Sequence, residues 1–368
     1  MKLASEKILV QHHLVRQVYA IHGRTEFSAA ERIKENCEKL GIPFVWVKEV
    51  PRSCSTTLGK LEEERGILLL IDRKSPFIER FKHPKGLCYP FYKLSAHNSC
   101  NFWCEYCYLY QTFFMRPQSI HYVNYDKMFK EIDDFSKSIV HPKFQVLNLG
   151  ELGDPLATDD LTGFSRIIIP YVANKEKVKV LFLTKSTQVG NLLGLEHNNR
   201  TILSWSLNCD LIAEKLEHRA PPPLERIKSA AKAQQAGYEI RFRIDPLFWF
   251  DGWQEHYAKL VEEMARYTSP TLITMGTYRP SKGLVNHIRA RFPRSNLIRL
   301  EEKLMLDAGK KRFPDNKRIE IYRYLAVLIK ERMREVTLAL CKEPHKIWRG
   351  AGLDSRAMTC NCTDFVID

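Results

Sequence analysis

The stretch His97–Thr112, HNSCNFWCEYCYLYQT, sets Cys100, Cys104 and Cys107 in a C-x3-C-x2-C pattern with Trp103, Tyr106, Tyr108 and Tyr110 packed between and after them. It follows directly on residues 89–96, YPFYKLSA, whose aromatic and apolar content suits a β-strand. Three cysteines on a loop leaving a strand differ in kind from four. Four thiolates saturate a zinc or iron–sulfur site, whereas three leave one iron open to an exchangeable ligand. A structural zinc or chance spacing are the other readings of the triplet.

Working outward, the strand at 89–96 is the first of a series. Strand-like runs recur at 144–150 (FQVLNLG), 178–184 (VKVLFLT), 201–207 (TILSWSL), 239–245 (EIRFRID) and 271–277 (TLITMGT). Helical segments lie between most of them, at 125–139, 222–237 and 252–267. In the second of these Leu224, Ile227, Ala230 and Ala231 form one apolar stripe, Pro223 suits the first turn and Gly237 the end. Strands alternating with helices predict parallel β/α units, with functional residues at the carboxyl ends of the strands. Six strands rather than eight predict an α/β protein built on a partial (β/α)6 TIM-like barrel, open on one side to a large substrate. The barrel is expected over 86–300. Before it, 1–85 read as a small N-terminal α/β domain, with a helix at 28–41 capped at Ser28 and stopped at Gly41, strands at 44–50 and 66–72, and the linker KHPKG at 82–86. After it, 301–368 read as a C-terminal helical extension, with a helix at 316–336 and a cysteine-containing tail.

The 368 residues carry 57 Lys and Arg against 43 Asp and Glu, a net charge of +14 that favours a polyanionic partner. Basic runs lie at Arg279–Arg294 and Gly309–Arg318. No apolar run approaches the roughly 18–20 residues that span a bilayer, and the first residues lack the apolar core of a signal peptide, so a cytoplasmic protein is expected. In a reducing compartment ten cysteines point to metal or chemistry rather than disulfides. Cys37, Cys54, Cys88 and Cys209 stand alone, as small buried side chains do. Cys341, Cys360 and Cys362, with His345 near the first, read either as a second metal or cluster site or as free thiols, the CNC spacing being awkward for one tetrahedral ion.

With Tyr106 just ahead of its last cysteine, the triplet resembles the signature of the radical S-adenosylmethionine superfamily. That resemblance implies a [4Fe-4S] cluster on Cys100, Cys104 and Cys107, S-adenosylmethionine on the open iron, and one-electron cleavage to a 5′-deoxyadenosyl radical. GELGDP (150–155), ending the second strand, is similar to the superfamily's Gly-Glu-rich loop, and places Glu151 and Asp154 toward the methionine ammonium. LTKS brings Lys185 and Ser186 to the end of the third strand, and SWSLN brings Ser204, Ser206 and Asn208 to the end of the fourth.

CEYCYL, TKS, SWSLN, PPPLERIKSAAKAQQAGY, FDGWQEHY and TYRPSKG together resemble one branch, the spore photoproduct lyases. These cleave a methylene-bridged thymine dimer in DNA back to two thymines. The resemblance implies that Lys185, Ser186, Ser206 and Tyr106 contact S-adenosylmethionine, that Tyr106 and Tyr108 form a radical relay, and that Arg279, Lys282 and Trp253 meet DNA. Phe248, Trp249 and Phe250 are expected to line the lesion pocket, wedge the duplex or pack the core. Damaged DNA and a flavodoxin or ferredoxin as electron donor are the implied partners of a monomer. One position departs. The lyases carry a hydrogen-donor cysteine at the end of the second strand, and LNLGELGDPLATDDLT (147–162) has none. Cys209 and Tyr108 are the substitutes to consider. The departure keeps open a radical enzyme acting on RNA, a peptide or a small molecule, or a non-catalytic nucleic-acid-binding paralogue.

Overall fold

The computed structural model describes residues 14–49, 58–83, 88, 90–140, 144–307, 309–354 and 360–364; Cys54 and most of the expected linker lie outside them. Near the N-terminus β1 (Gln17–Ile21), β2 (Phe44–Val47) and β3 (Ile67–Ile71) run parallel with β1 in the middle. Leu68, Leu69 and Leu70 are all buried, as a strand covered on both faces requires. The helix Phe27–Leu40 packs Ala29, Ala30, Ile33 and Cys37 inward. It starts before the expected cap: Ser28 lies in the first turn, where its Oγ donates to Glu26 Oε1 at 2.9 Å. Gly41 ends it at φ 67°, a left-handed turn that glycine adopts freely.

From this unit β4 (Ile78–Phe81) runs out to pair antiparallel with β5 (Phe91–Leu94), the first barrel strand. The chain then returns. β6 (His97–Asn98) and β7 (Ser119–Tyr122) extend the N-terminal sheet to the order β2-β1-β3-β7-β6, so that sheet crosses the boundary expected at residue 85. The cysteine loop thereby leaves and rejoins the N-terminal sheet, and a bridge from Ser99 to Gly153 ties it to the barrel.

The remaining expected strands are all present: β8 (Gln145–Asn148), β9 (Val178–Thr184), β10 (Thr201–Leu207), β11 (Glu239–Leu247) and β12 (Leu272–Thr277). A short antiparallel hairpin follows, β13 (Met305–Asp307) and β14 (Lys310–Arg312). Then comes β15 (Thr337–Leu340), a seventh parallel strand beside β12 from the segment read as a helical extension. The expected C-terminal helix is there too, at Asp315–Arg332. The second sheet runs β15-β12-β11-β10-β9-β8-β5-β4, an open partial barrel with β15 and β4 at its edges.

All seven residues of β10 are buried, because helices cover its outer face and the barrel its inner one. Leu203, Trp205 and Leu207 join the main core, while Ile202, Ser204 and Ser206 alternate to the interior. On β11 the interior positions are charged: Glu239, Arg241, Arg243 and Asp245. The tail occupies the space they define. Arg241 Nη1 donates to the carbonyls of Asn361 (3.1 Å) and Thr363 (2.7 Å), and Ser204 Oγ donates to Asn361 Oδ1 at 3.0 Å. No helix among the described residues is long and apolar enough to cross a membrane.

Candidate active site

The loop Ser99–Cys107 is shaped by side chains from both sides of it. The guanidinium of Arg65, buried at the end of the helix Leu58–Arg65, donates to Ser99 Oγ at 2.6 Å and to the Cys100 carbonyl. Its charge stacks on the Tyr110 ring, 4.7 Å from the centroid, and Arg291 covers that ring at 4.6 Å. Trp103 and Tyr110 pack edge to face with Phe292 against them. These aromatics wall the loop in. On the far side Glu105 N donates to the Leu216 carbonyl at 2.9 Å, and Arg219 N to that of Phe102 at 3.1 Å.

GELGDP closes over the same loop, and its glycines are steric necessities. A Cβ on Gly153 would lie 2.3 Å from the Ser99 carbonyl oxygen, and one on Gly150 2.4 Å from Leu183 Cβ. A cysteine therefore has no room at Gly150.

Cys100, Cys104 and Cys107 all face one cavity of about 270 Å³ at the carboxyl ends of the barrel strands. None is in a disulfide. Burial pushes the Cys100 thiol up to about 12, so thiolates here call for cationic ligands of their own, as iron supplies. Three free thiols on one side, with a carboxylate, an ammonium and a hydroxyl opposite, fit an open iron–sulfur cluster and a bound amino acid. A cubane distributes its thiolates over separate irons. That arrangement is compatible with the finding that, among the described residues, no group of three or more His, Cys, Asp or Glu side chains is placed around a single ion.

Opposite the thiols, Lys185 Nζ donates to Ser206 Oγ at 2.7 Å and lies 3.9 Å from Glu217 Oε1. Tyr106 faces the cavity with its hydroxyl donating to Glu217. Glu217 is also paired with buried Arg226, which donates to the Ser206 carbonyl at 3.1 Å. Burial works to raise the Glu217 carboxyl, but Arg226 and Lys185 together hold it below the usual carboxylate range.

Not every expected residue reaches the cavity in the expected role. Asp154 lines it, yet its oxygens accept from Lys185 N (2.6 Å), Thr184 Oγ1 (2.7 Å) and Leu156 N (3.0 Å), which commits the carboxylate to fastening the loop to β9. Glu151 lines the cavity and lends its carbonyl to the Tyr108 hydroxyl. Ser186 is buried in the turn after β9, where its Oγ accepts from Gln188 N at 3.0 Å. Cys209 is fully buried ahead of the helix Asp210–Leu216, its thiol pushed up to about 11 by that burial. Trp253 is buried against Trp249 and Tyr324, and Phe248 against Tyr106 and Tyr278, so both are packing residues. Arg279 lines the cavity but donates twice to Asp245, at 2.8 and 2.7 Å. Lys282 is exposed at the rim, its carbonyl accepting from Gln111 Nε2 at 2.9 Å.

Four charged cavity residues were not anticipated: Arg243, Asp245, Lys310 and Lys342. Asp245 accepts from both Arg243 and Arg279, which hold its carboxyl far below the usual range against the upward push of burial. Burial, with Arg279 and Lys342 alongside, lowers the Lys310 ammonium to about 8, the mark of cations crowded without enough anion.

An open parallel arc, here of seven strands, with this thiol loop at its mouth defines the radical S-adenosylmethionine class. Within it, the family model for spore photoproduct lyase matches residues 81–339. The chain belongs to the spore photoproduct lyase family. It is 26% identical over 262 residues to the spore photoproduct lyase of Bacillus subtilis (strain 168), covering 69% of this chain and 74% of that one. To the spore photoproduct lyase of Clostridium acetobutylicum it is 27% identical over 172 residues, 47% and 51% of the two chains. Its fold is similar to a solved spore photoproduct lyase complexed with dinucleoside spore photoproduct, with a TM-score of 0.79 at 22% identity over 88% of this chain and 98% of that one. A variant of that type with bound AdoMet and dinucleoside spore photoproduct gives the same TM-score at 21% identity over 89% and 98%.

Proposed function

We propose that this chain is a radical S-adenosylmethionine lyase that repairs an ultraviolet-type pyrimidine lesion in DNA. The observation that carries the reading is the convergence of Cys100, Cys104 and Cys107 with Lys185, Ser206 and Glu151 on one cavity that Arg243, Arg279, Lys310 and Lys342 also line. The three thiolates hold the cluster. When bound, cluster and S-adenosylmethionine supply a one-electron cleavage that yields a 5′-deoxyadenosyl radical. Glu151 takes the methionine ammonium, while Lys185, steadied by Ser206 and Glu217, takes its carboxylate. Tyr106 closes over the cofactor, its ring backed by Phe248, which packs in turn on Tyr278.

Lys310 and Lys342 provide the counter-charge for a phosphodiester entering the cavity, with Arg279 and Arg243 kept in place by Asp245. The hairpin β13–β14 supplies the duplex contact expected near Arg279. Its Met305 and Leu306 are 61% and 74% exposed, apolar groups suited to parting a base stack, with Lys282 at the rim. A lesion has to leave the stack to reach a barrel interior. A flavodoxin or ferredoxin in the cytoplasm serves as reductant, and the chain acts as a monomer.

The test is tighter binding of ultraviolet-irradiated over undamaged DNA by the anaerobically reconstituted protein, followed by S-adenosylmethionine-dependent loss of the lesion. Equal binding, with no lesion loss, would sink the proposal.

A further inference from the structure

A radical that breaks a carbon–carbon bridge leaves a carbon radical on the product, and that carbon must gain a hydrogen atom before release. A thiol S–H bond is weak enough to give one quickly. Among the described residues, several thiols in or near the barrel are not free to do so. Gly150 has no space for a side chain, Cys209 is sealed in the core, and Cys100, Cys104 and Cys107 are taken by the cluster.

The C-terminal tail brings others to the same end of the barrel. Its Cys362 Sγ accepts from Nδ2 of Asn148 at 3.3 Å, on the very strand that ends in GELGDP. Cys360 and Cys362 stand one residue apart in a tight turn, in which Thr363 N donates to the Cys360 carbonyl at 3.1 Å. Arg243, which lines the cavity, reaches Cys341 Sγ at 3.2 Å, and Lys342, the next residue, lines the cavity too. The turn is pinned. Besides the bonds from Arg241 and Ser204, Lys179 Nζ donates to Asp364 Oδ1 at 2.9 Å. Cys362 is buried and Cys360 only half so.

We infer that Cys360 and Cys362 are a redox-active dithiol that supplies the closing hydrogen atom, an assignment that rests on the radical reading above. One thiol gives its hydrogen atom to the product carbon: the S–H bond breaks, a C–H bond forms and a thiyl remains. The neighbouring thiolate, its proton lost to solvent, bonds to that thiyl as a disulfide radical anion. An oxidised iron–sulfur carrier protein accepts the extra electron and leaves a disulfide. A dithiol reductant then returns two electrons and two protons.

The experiment runs the reconstituted full-length chain anaerobically in D₂O on ultraviolet-irradiated DNA. After an iodoacetamide quench, mass spectrometry weighs the repaired base and the tail peptide. Thiol hydrogens exchange with solvent and carbon-bound hydrogens of deoxyadenosine do not. The expected result is one solvent deuterium per product, with a Cys360–Cys362 disulfide accumulating when dithiol reductant is withheld. Cys360→Ser and Cys362→Ser each lower deuterated product about tenfold or more while lesion and S-adenosylmethionine are still consumed. Product without solvent deuterium overturns the inference, as does a tail that stays reduced through repeated turnover, or wild-type yield from the double variant. Tail thiols shielded from alkylation by one extra metal ion per chain also overturn it. If the wild type consumes no lesion at all, the proposed function is what fails. The pair is then decided on the resting protein by titration against a dithiol–disulfide buffer: a reversible Cys360–Cys362 disulfide supports the inference and its absence refutes it.

Discussion

The cysteine loop and the C-terminal tail bring thiols to the same end of the barrel by opposite means. Cys100, Cys104 and Cys107 lie close in the chain, and their loop is held by backbone bonds, by Arg65 and by a wall of aromatics. Cys360 and Cys362 arrive far from the strands they meet, and charged side chains inside the barrel hold them, chiefly Arg241 and Lys179 on the tail's carbonyls and Asp364. A local motif carries its chemistry in its spacing. A tail gains its chemistry only from the wall it is threaded against, and is correspondingly easier to release.

Removing a thiol from the loop draws the contrast most sharply. Cys104→Ala is expected to lower S-adenosylmethionine cleavage to background, read as 5′-deoxyadenosine by chromatography, with loss of the cluster's visible absorbance. Next, Arg65→Ala strips a charged donor from Ser99 Oγ and the Cys100 carbonyl. The expected loss is about 3 kcal/mol in urea unfolding, because buried acceptors stay unpaired. Lys185→Met removes a charged hydrogen bond from the cofactor wall. It should weaken S-adenosylmethionine binding by about 1.5–3 kcal/mol, roughly tenfold to a hundredfold, in equilibrium dialysis.

On the tail the corresponding change is Asp364→Asn, which weakens its anchors on Lys179 and Arg241. It should make Cys362 readily alkylated while the global unfolding midpoint hardly moves, as release of a local segment predicts. A large fall in the midpoint would place the tail in the core's cooperative unit. Acid acts on the loop side. His97, beside Gly153, and His121 are held neutral, chiefly by burial, which lowers them to about 4 and about 3. Unfolded histidines take up protons near 6.5, so the unfolded chain binds more protons below that pH. Stability should be level above about 6.5 and fall steadily toward 4. Urea midpoints across that range check it, and a flat profile would contradict the buried neutral rings.

Much of the site can be read in the chain because its parts are contiguous. The strand alternation predicts each barrel strand from β5 to β12, and LTKS and SWSLN put Lys185 and Ser206 together. Burial is what the sequence withholds. Nothing in FDGWQEHY distinguishes an exposed Trp253 from one packed on Tyr324, and SWSLNC leaves Cys209 open to either a buried or a cavity position. A usable signal did exist for Arg243 and Asp245. Charges alternating along EIRFRID, a strand with parallel neighbours on both sides, have nowhere to point but the barrel interior. Lys310, Lys342 and the tail left no such trace, since a late hairpin, an added seventh strand and long-range ion pairs place them.

The central claim is that the thiol loop and the cationic wall act on one substrate in one cavity. The most direct measurement is chromatographic recovery of thymine from ultraviolet-irradiated DNA, incubated anaerobically with the reconstituted protein, reductant and S-adenosylmethionine. The account predicts lesion loss and thymine gain in step, both abolished without S-adenosylmethionine. Formation of 5′-deoxyadenosine beside a fully retained lesion would contradict it.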